Sequence, residues 1–95
     1  MLLTALAAAM LSPPPATRAP SRGQLAGAIT QMTKKRVRPS NLRAIACKPM
    51  AEEPTEFACR WQQRSGSAGR WRGYSSILAI DVEGWSLIDL PGASR

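Results

Sequence analysis

Cys47 and Cys59 are the two cysteines of the chain, and they flank a segment with turn chemistry at its centre, Lys48-Pro-Met-Ala-Glu-Glu-Pro-Thr-Glu-Phe-Ala58. A chain reversal near Glu52–Pro54 sets Cys47 opposite Cys59, where a disulfide would staple two neighbouring strands. Such a bond belongs to an oxidising compartment. Closing a loop of about 13 residues contributes on the order of 3 kcal/mol in the chain-entropy model, less any strain. The alternative is a pair of free thiols buried as small hydrophobes.

The staple matters because the chain is small. Its 95 residues make at most one domain, and the first of them read as something else. Leu2–Leu11 is an apolar run followed at once by Ser12-Pro-Pro-Pro15. It is shorter than the roughly 20 residues a membrane-spanning helix needs, and its length fits the apolar region of a secretory signal peptide. No Lys or Arg precedes it, and the candidate cleavage positions Ala16 and Ala19 lie close to prolines, so both n-region and cleavage site are atypical. The alternative is an N-terminal arm. Residues 1–20 are therefore expected to be a signal peptide and Pro-rich linker, 21–91 a small domain, and 92–95 a flexible tail. A domain of roughly 75 residues buries only about 60% of its unfolded surface, which is the setting in which one disulfide counts.

Ser21 and Gln24 match a capping box, each side chain serving a free N–H of the first turn. Leu25, Ala28, Ile29 and Met32 then recur at the spacing of one helical face. Lys34, Lys35 and Arg36 suit the negative end of the helix dipole, and Pro39 stops the helix by about residue 36. From Asn41 the period becomes two. Four strands are expected at Leu42–Lys48, Glu56–Arg64, Arg70–Asp81 and Trp85–Leu90. Ser65-Gly-Ser-Ala-Gly69 connects the middle pair, and Gly84 supplies the positive φ of the last turn. The fold class is α+β: one N-terminal helix packed on a four-stranded antiparallel meander.

Alternation assigns the faces. Ile45, Cys47, Phe57, Cys59 and Trp61 share the face under the helix, with Trp71 and Ile77 expected to join them from the third strand. The opposite face then holds Arg60, Gln62, Arg64, Arg70, Arg72 and Tyr74. The last hairpin groups Leu78, Ile80, Trp85 and Leu87, out of phase with Ile77, and a bulge near Ser75-Ser76 would reconcile the halves. In architecture this arrangement resembles cystatin-like folds. Gln24-Leu-Ala-Gly27 is one residue short of the cystatin Gln-x-Val-x-Gly pattern and no Pro-Trp hairpin is present, so the likeness implies the fold alone.

Absences narrow the chemistry. The sequence contains no histidine, which removes His-activated nucleophiles, the commonest general base and His-containing zinc sites. Neither C-x-x-C nor a Gly-rich phosphate loop occurs. We therefore expect no catalytic residues, no cofactor and no metal; the crowded Glu52, Glu53 and Glu56 read as a solvated turn. The affirmative signal is a net charge of +7, and all eight basic residues from Arg18 to Lys48 precede the first acid. One cluster is Lys34, Lys35, Arg36, Arg38 and Arg43. A second, Arg60, Arg64, Arg70 and Arg72, is the candidate anion-binding set. Basic surfaces favour anionic partners; the bland alternative is solubility.

These features point to a non-enzymatic binding domain, periplasmic or secreted, whose basic sheet face meets an anionic envelope component or a protein. A mature form of this kind has no stable transmembrane span. One alternative is a nucleic-acid-binding protein using Trp61, Trp71 and Tyr74 as stacking platforms, disfavoured because the Trp side chains alternate away from the arginines. Another is a small protease or lysozyme inhibitor presenting the Glu52–Glu56 or Ser65–Gly69 loop.

Overall fold

The structure, a computed structural model, describes residues 18–93. The expected export signal falls on residues 1–17, outside the described residues. The described residues run through one α-helix, α1 (Arg22–Thr33), a short 3-10 turn (Pro39–Asn41) and the strands β1 (Leu42–Met50), β2 (Glu53–Gln63), β3 (Arg72–Asp81), β4 (Gly84–Leu87) and β5 (Gly92–Ala93). The sheet order is β1-β2-β3-β4, and β5 also pairs with β3. All pairings are antiparallel. This is the α+β meander with one helical layer that the sequence implied.

The capping box starts α1: Ser21 N donates to Gln24 Oε1 at 2.8 Å, and Gln24 N donates to Ser21 Oγ at 3.1 Å. The helix ends at Thr33, earlier than its charge pattern implied. Lys34 adopts a left-handed conformation, φ 63°, and its N–H donates to Thr30 O. Threonine hydroxyls hold the exit. Thr30 Oγ1 donates to Ala26 O and accepts from Val37 N at 2.9 Å, which turns the chain back onto the core. Lys34–Arg36 consequently lie beyond the helix rather than in its last turn.

Leu25, Ala26, Ala28 and Ile29 are buried against the sheet, mainly over β4 and also over β1. The sheet contributes Leu42, Phe57, Cys59, Trp61, Leu78 and Leu87. Phe57 meets Trp85 edge-on with centroids 5.6 Å apart, and Trp61 stacks on Tyr74 at 6.4 Å. Among the described residues, the other face of the sheet has no helix against it. There the floor is small: Ala46, Ala58 and Ser75, with Ile77 beside them.

Cys47 pairs directly with Cys59 in the β1–β2 register, and a disulfide joins them. Cys59 is buried with the core, and Cys47 packs against it half-exposed. The staple is therefore part of the helix-covered layer, beside Phe57 and Trp61.

The register of β3 differs from expectation by one residue. Phe57 faces Leu78, Cys59 faces Ser76 and Trp61 faces Tyr74, without interruption from Glu56–Ala79 to Gln63–Arg72. One step flips every side chain of a strand. Leu78, fully buried, fills the place expected for Ile77, and Tyr74 turns to the side of Trp61, where it packs half-buried against the core. No bulge is needed at Ser75-Ser76, since Leu78–Leu87 and Ile80–Trp85 pair in the same phase. The reason is the start of β3. Arg70 and Trp71 remain in the connection, and pairing begins at Arg72.

The register shifts of this sheet lie instead in the β1–β2 pairing, one between Arg43 and Ala46, where Ala44 takes φ 54°, and one between Pro49 and Met50. With Pro49, they break the regularity of the exposed β1 edge and so discourage pairing with another strand. The tail expected to fray after Pro91 forms β5, pairing Gly92 with Ser75 and Ala93 with Tyr74. Among the described residues no helix is long and apolar enough to cross a membrane.

Candidate anion site at the β2–β3 connection

β2 ends at Gln63 and β3 begins at Arg72, so the connection runs Arg64-Ser-Gly-Ser-Ala-Gly-Arg-Trp71 with an arginine near each end. Glycine makes it tight. Gly66 has φ 104°, a conformation L side chains rarely adopt, and Gly69 N donates to Gly66 O at 3.0 Å. A Cβ on Gly69 would lie 3.0 Å from Ser65 N. This close approach folds the loop on itself and brings Arg70 back toward Arg64.

Arg64 is held from several sides. Its backbone N–H donates to Asn41 O at 3.0 Å, its Nε to Asn41 Oδ1 at 3.2 Å and its Nη1 to Ser67 O at 3.1 Å. Its guanidinium carbon lies 4.6 Å from the centroid of Trp71, and that of Arg43 lies 4.1 Å from the same ring. Arg43 is itself oriented by Gln62, whose Oε1 accepts from its Nε at 2.6 Å. Two cations over one indole are attracted by its π face. Trp71, expected in the core, is thus a half-buried brace between loop and sheet.

Arg64, Arg70 and Arg72 line one open pocket of about 320 Å³ together with Gln63, Ser65 and Tyr74. Tyr74 connects it to the core by stacking on Trp61. Gln63 Oε1 accepts from Trp61 Nε1 at 3.0 Å, which leaves its NH2 as a donor. The lining residues are three arginines, Ser65, Tyr74 and Gln63, with no carboxylate among them. An arrangement rich in donors and positive charge is chemically suited to an anion. It holds no paired acid and base for proton transfer.

Arg60 is not part of this group. It projects from the face of the sheet away from α1, opposite Ala46 and Ser75, and lines a broader hollow of about 610 Å³ with Lys48, Ile77 and Asp89. Arg72 faces the other way, paired with Gln63 on the side of Trp61 and Tyr74. The four arginines expected on one face therefore divide three to one. Arg43, assigned by sequence to the first cluster, joins the second through Trp71. Gln63 and Ser65 were missed as lining residues, whereas Tyr74, grouped with the arginines by sequence, does line the pocket with three of them. The signal that could have found Gln63 and Ser65 is the Gly-rich loop with arginine at both ends, once the correct register of β3 is known.

The acids collect elsewhere. Pairing of Met50 with Glu53, Glu56 with Ala79 and Asp81 with Gly84 puts both acidic turns at the end of the sheet away from the arginine loop. Among the described residues no group of three or more acidic or sulfur side chains is placed to hold a metal ion. No protein-family model, curated protein or solved structure matches this chain.

Proposed function

We propose that this chain is a small exported, non-enzymatic binding module that recognises an anionic envelope component through Arg64, Arg70 and Arg72. The carrying observation is the convergence of these three arginines on one pocket without a carboxylate in its lining. The disulfide is compatible with an extracellular or periplasmic location. The nucleic-acid reading loses its platform: Trp61 is buried, Tyr74 stacks on it, and Trp71 carries two guanidinium groups. Single-strand binders use aromatic faces open to bases.

Vesicle flotation with the full-length, disulfide-bonded chain tests the binding. Vesicles containing phosphatidylglycerol should retain the protein, and zwitterionic vesicles should not. Substitution R70Q/R72Q should release it while leaving thermal unfolding unchanged. Equal retention of variant and parent, or no retention on any anionic surface, would reject the reading. For location, the intact mass of protein from separated cell fractions should show an oxidised chain shortened at its N-terminus. A full-length cytosolic chain with free thiols contradicts export.

A further inference from the structure

We infer that the group recognised in the Arg64–Arg70–Arg72 pocket is a phosphate monoester; this rests on the anion-binding reading above and narrows it to one chemistry. Three arginines line a single pocket of about 320 Å³, at the small end of the roughly 300–1,000 Å³ range of small-ligand sites. A monoester brings three terminal oxygens and a charge of about −1.5 to −2 at neutral pH. A carboxylate or a phosphodiester brings two free oxygens and one charge. A monoester therefore offers more acceptors and more charge to this donor set than either.

The pocket is also braced before any ligand arrives. Arg64 Nε and Nη1 are committed to Asn41 and Ser67, and the guanidinium lies over Trp71, so its plane is set and Nη2 remains to donate. Planar guanidinium forks match phosphate oxygens two at a time, which an ammonium group does not. Ser65 and Tyr74 add hydroxyl donors, and Gln63 adds an amide. Three like charges at one hairpin repel, and a dianion relieves that repulsion where a monoanion does so only in part.

The chemistry has a signature in pH. A phosphate monoester gains its second charge near pH 6, whereas a diester keeps one charge throughout. Flotation of the full-length oxidised chain should compare phosphatidic acid with phosphatidylglycerol in phosphatidylcholine vesicles of matched surface charge. At pH 7.5 the monoester vesicles should bind about tenfold more tightly, and the margin should shrink toward unity at pH 5 as the second proton returns. Arg72→Lys keeps the charge and loses the fork, so it should weaken phosphatidic acid binding more than phosphatidylglycerol binding and remove most of the monoester margin.

Calorimetry with soluble glycerol 3-phosphate separates the sources of the group. Affinity equal to that for phosphatidic acid supports a soluble ester, and binding confined to vesicles supports a lipid headgroup. Equal affinity for the two lipids, or a margin that does not change with pH, overturns the monoester assignment while leaving general anion binding intact. Absence of binding to both lipids overturns the two together.

Discussion

The two ends of the sheet are built alike and charged oppositely. One end carries the β1–β2 and β3–β4 turns with Glu52, Glu53, Glu56, Asp81 and Glu83; the other carries the β2–β3 connection with Arg64, Arg70 and Arg72, and Arg43 beside it. They differ in how the charges are held. Glu52, Glu53, Asp81 and Glu83 are exposed, and their main local bond is Asp81 Oδ1 accepting from Glu83 N to close the turn. Arg64 is tied to Asn41, Ser67 and Trp71. A charge fixed before binding costs less ordering when a ligand arrives. Net charge marks a protein as basic, but the antiparallel register and the bracing mark one end of it as the candidate site.

This contrast can be broken at several strengths. The largest effect should come from the core that both ends share: Phe57→Ala removes a fully buried ring packed on Trp85 and should cost about 3–5 kcal/mol in chemical denaturation. Next, C47A/C59A removes the covalent staple and should cost about 3 kcal/mol, with anion binding per folded molecule unchanged because the bond lies outside the arginine pocket. Charge reversal at the basic end, R70E/R72E, should reduce binding to anionic vesicles at least about 100-fold. Its effect on stability should stay within about 0.5 kcal/mol, as for surface changes in general.

Trp71→Leu tests the brace. Loss of two cation–π contacts of about 0.5–1 kcal/mol each should lower the unfolding midpoint modestly and weaken anion binding several-fold. The smallest effect belongs to the acidic end. E52Q/E53Q should raise vesicle binding by less than about twofold, and the gain should vanish at high salt, where separated exposed charges are screened. A large effect there would mean that the acids, and not the arginine pocket, govern the interaction.

Local patterns proved legible where they depend on near neighbours. The Ser21–Gln24 capping box and the positive φ of Gly84 each follow from a short run of residues, and both are present. The Cys47–Cys59 pairing was readable because the turn between them is short and its chemistry plain. The face of β3 was not. Eight residues separate Gln63 from Arg72, and nothing in Ser65–Gly69 says how many of them the loop consumes. The arginine site inherited that uncertainty: it is defined by which way Arg72 and Tyr74 turn.

By itself the sequence determined the class of fold, the capped helix, the stapled first hairpin and the preponderance of positive charge, because each rests on local spacing or on composition. Tertiary structure decided which arginines share a pocket, and why Trp71 lies under two guanidinium groups instead of in the core. The deciding quantity was a single step of strand register, selected by burial of Leu78 against Phe57 and the helix layer. Side chains alternate with a period of two, so that step moved Tyr74 and Arg72 to the side of Trp61 and left Arg60 on the other face.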